Sequence, residues 1–172
     1  MKSQREMENR NETFKTESPE ETQILGEKLG KTLKRGDVIA LVGDLGTGKT
    51  CLTQGIARGV GIARDEVVNS PSYILINEYN GTIPIYHIDL YRLENRAEIA
   101  ELGLSEYIDG DGICIIEWAE RITDSLPETC IKIQITLADT HTSHSDEVRE
   151  SISQTPEDEN IRHIEIQYPI SR

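Results

Sequence analysis

Apolar residues recur along this chain in two rhythms, and the change between them is sharpest near residue 43. Val38-Ile39-Ala40-Leu41-Val42 is an uninterrupted apolar run, the pattern of a strand buried on both faces. Shortly after it, Cys51, Leu52, Ile56, Ala57 and Val60 fall at helical spacing, so a helix is predicted from about Lys49. Upstream, Ser18-Pro19-Glu20-Glu21 forms a capping box with proline at the first helical position. Ile24, Leu25, Leu29 and Leu33 give that helix an apolar face, and Gly36 is expected to close it.

Downstream, Tyr73–Tyr79 and Thr82–Asp89 flank Asn80-Gly81, which predicts an antiparallel hairpin. A short helix over Arg96–Leu102 should end at Gly103, and the Asp109-Gly110-Asp111-Gly112 turn leads into the apolar strand Ile113-Cys114-Ile115-Ile116. Two alternating strands, Ile131–Leu137 and Ile161–Tyr168, complete the pattern. Residues 1–17 are expected to be a flexible tail ahead of a single domain over 18–172. The stretch 138–160 carries seven acidic residues against Arg149 alone, and it is expected to be a solvated polar loop that includes His141 and His144. The elements together predict an α/β fold: a three-layer P-loop NTPase-like domain with a mixed, partly antiparallel sheet.

Composition narrows the choice of partners. A net charge of −13 over 172 residues, with one tryptophan and one phenylalanine, offers neither a broad basic face nor stacking platforms for nucleic acid. Tight nucleic-acid binding by the isolated chain is therefore not expected. The three cysteines, Cys51, Cys114 and Cys130, suit buried free thiols and a reducing cytoplasm, and no run is long and apolar enough for a membrane span.

The candidate chemistry sits at the change of rhythm. Gly43-Asp44-Leu45-Gly46-Thr47-Gly48-Lys49-Thr50 reads G-x-x-x-x-G-K-T between a strand and a helix. Glycines let backbone N–H groups converge on a polyphosphate, the helix N-terminus adds its positive dipole end, Lys49 reaches the outer phosphates, and Thr50 is placed to ligate Mg²⁺. An acidic partner should end a neighbouring strand. Glu117 ends a continuous apolar strand, whereas Asp89 ends a less apolar one whose Pro84 suits an edge or hairpin position, and both can serve. Ser70-Pro71-Ser72 stands where a phosphate-sensing switch would stand, or it is simply the turn that starts the hairpin. Arg92 and Arg121 are the candidate cations for a transition state, so a partner protein is a further possible source. A small-molecule kinase or a nucleotide-binding regulatory subunit shares the same loop, and phosphate release separates these from a hydrolase.

Four segments in series carry a resemblance. The phosphate loop, Ser70-Pro71-Ser72-Tyr73, Tyr86-His87-Ile88-Asp89-Leu90-Tyr91-Arg92-Leu93 and Ile116-Glu117-Trp118-Ala119-Glu120 stand in the order and spacing of the bacterial TsaE family, also called YjeE. The resemblance covers about residues 18–137. It implies a P-loop ATPase, weak alone, that supports synthesis of threonylcarbamoyladenosine beside the anticodon of tRNAs together with TsaB and TsaD subunits. By the same resemblance Asp44, Leu45, Gly46, Thr47, Gly48 and Lys49 contact ATP, and Thr50 and Glu117 hold Mg²⁺. Asp89 matches an acid needed for activity, and Ser70-Pro71-Ser72 looks like the family's switch segment, with serine where threonine is usual. The segment near Ser18 resembles the adenine-side contact. The chain departs from the family over 138–160, which is longer than the usual C-terminal turn.

Overall fold

The computed structural model describes residues 10–138 and 161–170. The acidic stretch, with His141 and His144, lies outside the described residues except for Ala138, as do the first nine positions. The elements are β1 (Asn11–Thr16), α1 (Pro19–Gly30), β2 (Val38–Val42), α2 (Lys49–Val60), β3 (Ile76–Tyr79) and β4 (Ile85–Asp89). They continue with α3 (Arg96–Glu101), α4 (Leu104–Ile108), β5 (Ile113–Glu117), a 3-10 segment over Ala119–Ser125, β6 (Ile131–Leu137) and β7 (Arg162–Gln167).

All seven strands form one sheet in the order β1-β7-β6-β2-β5-β4-β3. Strands β6, β2, β5 and β4 run parallel, and antiparallel pairs close both ends, β7 with β6 and β1, and β3 with β4. On one face Ile39, Leu41, Ile115, Ile133 and Ile164 meet Leu29 of α1 with Leu52 and Ile56 of α2. On the other, Ala40, Cys114 and Ile116 meet Ile99 of α3, Leu104 of α4 and Ile122 of the 3-10 segment. The result is the expected three-layer α/β arrangement with a mixed sheet. Each isoleucine sealed inside it contributes roughly 2 kcal/mol relative to exposure.

The helix pair is closer than its apolar face alone would bring it. A Cβ at Gly30 would lie 2.3 Å from the Ile56 carbonyl oxygen, and one at Gly55 would lie 2.2 Å from that of Gln23. Small residues on both helices let the backbones touch, so α1 lies flat against the helix that carries the phosphate loop.

Four expectations need correction. The tail expected over 1–17 is a strand from Asn11 to Thr16, because its backbone pairs with β7 in register, Phe14 opposite Ile164. That pairing is supplied by a distant strand and leaves little trace in local pattern. Helix α1 ends at Gly30 rather than near Gly36, and Ile24 of its proposed apolar face is 53% exposed. Asn80-Gly81 does not make a two-residue turn: Tyr79 pairs with Ile85, so five residues join the strands, and Gly81 packs on Ile62. Finally, of the edge and hairpin positions that Pro84 suits, the edge one falls and the hairpin one stands: β4 pairs antiparallel with β3, which takes the edge, Pro84 precedes it, and Ile85, His87, Ile88 and Asp89 are all buried. Helix α4 and the 3-10 segment add cover that periodicity did not reveal.

Candidate functional site

Parallel strands finish at the same edge of a sheet, and in open α/β sheets ligands bind in the crevice beyond those ends. Here β2, β5 and β4 finish side by side. Leu41 of β2 is in register with Glu117 of β5, and Glu117 with Asp89 of β4, so both candidate acids stand next to the strand that feeds the phosphate loop. The loop and these strand ends line a cavity of about 500 Å³ that also includes Ser70, Ser72, Tyr73, Tyr91, Arg92 and Trp118.

The loop is built for anion contact. Helix α2 starts at Lys49 as predicted, and its N-cap, Gly48, has φ 104 with no side-chain cap, so the orphan N–H groups of the first turn remain for a ligand. Thr47 closes the loop internally, its hydroxyl donating to the Asp44 carbonyl at 2.9 Å. The Lys49 ammonium donates to the carbonyls of Gly43 at 2.6 Å and Asp44 at 2.8 Å. Its Nζ also lies 4.1 Å from the centre of the Trp118 ring. Burial pushes the Lys49 pKa down, while the charges of Glu117, Glu120, Asp89 and Asp44 pull it back up. An ammonium this deeply placed gains much from an arriving polyanion.

Thr50 and Glu117 meet at the strand end. The Thr50 hydroxyl lies 3.0 Å and 3.1 Å from the two Glu117 carboxylate oxygens. A hydroxyl and a carboxylate are hard oxygen donors that suit Mg²⁺, which keeps waters and phosphate oxygens as its other ligands. That fits the described residues, among which no group of three or more His, Cys, Asp or Glu side chains forms a metal cage. Glu117 has a second partner, since the fully buried His87 sets Nε2 at 2.8 Å from Oε1. With Nε2–H donating to the carboxylate, Nδ1 has no hydrogen-bond partner among the described residues.

Asp89 occupies a different network. Its Oδ1 accepts the Tyr91 N–H at 2.9 Å, and its Oδ2 accepts the Ser72 hydroxyl at 2.7 Å and the Ser70 hydroxyl. Ser70-Pro71-Ser72 is therefore tied to the acid at the end of β4, which a turn formed for local reasons would not require. The turn is held further by the Leu75 N–H to the Pro71 carbonyl at 2.6 Å and the Asp89 N–H to the Leu75 carbonyl at 3.0 Å. Leu75 and Trp118 are the non-glycine residues with positive φ among the described residues, at 70° and 60°. One anchors the serine turn and the other follows Glu117, so backbone strain is concentrated beside the two acids.

The remaining candidates divide. Arg92 lines the cavity and stacks over Tyr73 at 4.0 Å, whereas Arg121 donates to the Leu93 carbonyl and stands behind the lining, 5.9 Å from the centre of the Trp118 ring. Ser18 caps α1 by accepting the Glu21 N–H at 3.1 Å, and the neighbouring Pro19 carbonyl accepts the Cys51 thiol at 3.2 Å, which sets this turn behind the start of α2. Three participants escaped the sequence reading. His87 lay inside a quoted segment but had no visible partner. Trp118 likewise lies inside a quoted segment, beside Glu117, and local pattern gives its ring no role. Arg162 donates from Nε to the Thr47 carbonyl at 3.0 Å, a contact across 115 residues that no local signal announces.

The family described as "Threonylcarbamoyl adenosine biosynthesis protein TsaE" matches residues 16–147. The chain is similar to the tRNA threonylcarbamoyladenosine biosynthesis protein TsaE of Bacillus subtilis, 46% identical over 71% of this chain and 75% of that protein. The protein of the same name from a Nostoc species is 48% identical over 70% of this chain and 75% of its own length. Among solved structures, that of Bacillus subtilis YdiB superposes with a TM-score of 0.69 at 34% identity, covering 94% of this chain and 87% of the other.

Proposed function

This chain belongs to the TsaE family, and from that premise we propose that it is a Mg²⁺-dependent ATPase of threonylcarbamoyladenosine biosynthesis on tRNA, working in the cytoplasm with TsaB and TsaD. The observation that carries the reading is the convergence at one cavity of the phosphate loop, the Thr50–Glu117 pair and the serine-bound Asp89. In this reading Lys49 exchanges its loop carbonyls for the outer phosphate oxygens of ATP, and the N–H groups of Gly46, Gly48 and the first turn of α2 hold the inner ones. Bound at Thr50 and Glu117, Mg²⁺ would neutralise charge that develops on the phosphates. His87 keeps one oxygen of Glu117 fixed, and the Thr50 hydroxyl with that carboxylate would hold the metal. Asp89, already oriented by Tyr91, Ser70 and Ser72, aligns a water for in-line attack on the terminal phosphorus.

The same reading assigns tRNA contact to the partner complex, in keeping with the −13 charge of the chain. The test is phosphate release by the full chain, alone and with TsaB and TsaD, for wild type and Lys49→Ala. Release is expected to rise with the partners and to fall by at least roughly tenfold in the variant with the fold intact. Equal release by the two proteins would remove the site. Micromolar or tighter binding of labelled tRNA to the isolated chain at near-physiological salt would overturn the assignment of tRNA to the partners.

A further inference from the structure

Arg162 opens β7, where it is in register with Thr16 of β1 on one side and Leu137 of β6 on the other. Its side chain is buried, 8% exposed as a residue, and reaches under the phosphate loop to the Thr47 carbonyl. A planar trans peptide points its C=O and N–H in opposite directions. Holding the Thr47 carbonyl towards β7 therefore turns the Gly48 N–H to the other side of the loop, and Gly48 lines the cavity on that side. The fit is tight, because a Cβ at Gly48 would stand 2.9 Å from Arg162 Nε and 3.3 Å from its Cδ.

From this contact we infer that Arg162 is a positioning residue of the phosphate loop, holding the Thr47–Gly48 peptide in the orientation that offers an N–H rather than a carbonyl oxygen to a phosphate. The alternative orientation would place a partial negative charge against the ligand. Arginine suits the task better than lysine, since its planar fork is fixed in direction while an ammonium is a mobile point charge. The neighbouring strand supports the same loop, for a Cβ at Gly43 would meet the Ile135 carbonyl at 2.3 Å. The loop thus rests on β6 and β7, and Arg162 is the side chain that reaches from this base to one of its peptides. The inference deepens the ATP reading and rests on it for the affinity readout alone.

Two readouts on the full chain test it. In nucleotide-free protein, the backbone amide NMR resonance of Gly48 should shift and broaden in Arg162→Met, because the Thr47–Gly48 peptide is no longer held in one orientation. ADP affinity should fall by roughly tenfold, the scale expected when a charged hydrogen bond that orients a binding group is lost. Arg162→Lys should lie between wild type and Arg162→Met in both. Phe14→Ala, in the adjoining β1, should lower Tm while leaving ADP affinity at the wild-type value, which separates loop geometry from general loosening of that edge. A wild-type Gly48 resonance and affinity in Arg162→Met would overturn the inference. If that variant does not fold, Arg162→Lys decides by the same two measurements, with wild-type values overturning it. Failure of the wild-type chain to bind ADP would overturn the ATP reading, and the Gly48 resonance would still decide the role of Arg162.

Discussion

The two sides of β2 are built differently and do different work. Towards β3 lie β5 and β4, parallel to β2, with every position of β5 buried and Glu117 and Asp89 at their ends. Towards β1 lie β6, β7 and β1, where buried and exposed positions alternate along β6 and β7 and antiparallel pairing takes over after β6. Parallel neighbours bring their C-terminal ends to one edge, so this side collects the acidic groups. This side contributes support: the Ile135 carbonyl of β6, still parallel to β2, against Gly43, and the Arg162 guanidinium of the antiparallel β7 under Thr47. Chemistry on one side depends on geometry from the other.

The largest effects should come from the acidic side. Glu117→Gln should weaken Mg²⁺-dependent nucleotide binding, and Asp89→Asn should spare binding yet lose turnover, each by about a hundredfold in partner-stimulated hydrolysis. Mg²⁺ titrations of nucleotide affinity separate the two variants, and normal hydrolysis by both would dissolve the division of labour drawn here. On the supporting side, Ile164→Ala removes a fully buried side chain from β7 and should cost about 2–5 kcal/mol of stability by denaturant unfolding. Its turnover, measured on the folded fraction, should stay within about twofold of wild type. A collapse in turnover at unchanged stability would show that β7 acts on the chemistry through more than Arg162.

The smallest effect concerns the two thiols that flank β2. Burial pushes Cys114 up to about 12 and Cys130 to about 11, from the ordinary 9.0. Raised acidic pKa values leave stability untouched below pH 9, because folded and unfolded thiols are then both protonated. Above it the unfolded thiols ionise first, and stability falls as pH climbs towards the folded values. At pH 10 each thiol should cost about 1 kcal/mol. Cys114→Ala should therefore lose less Tm than wild type between pH 8 and pH 10. An equal loss in both would mean that Cys114 is less deeply sealed than its 1% exposure indicates.

Sequence pattern located the site where it rested on contiguous residues and strong local preference. The capping box at Ser18 produced its helix start, the glycine-rich loop ran into α2 at Lys49, and the apolar run of β5 ended at Glu117. It left Asp89 between an edge and a hairpin position because Pro84 speaks only for its own N–H, and the strand begins one residue later, paired with β3 on one side and β5 on the other. It missed β1 because Asn11–Thr16 owes its strand to the backbone of β7.

By itself the sequence determined which residues can hold a polyphosphate and a divalent cation, since glycine, lysine, threonine and carboxylate carry that chemistry wherever the chain puts them. It also determined the two-faced burial of β2 and β5, through runs of apolar residues that water would not tolerate exposed. Only the tertiary structure decided that β4 lies beside β5, which brings Asp89 into register with Glu117 and His87 within reach of it. Only it decided that Arg162 lies beneath Thr47, 115 residues away. The reason is physical: strand order and long-range hydrogen bonds are settled by the packing of the whole sheet, in which each pairing competes with every other, and no single stretch of chain contains that competition.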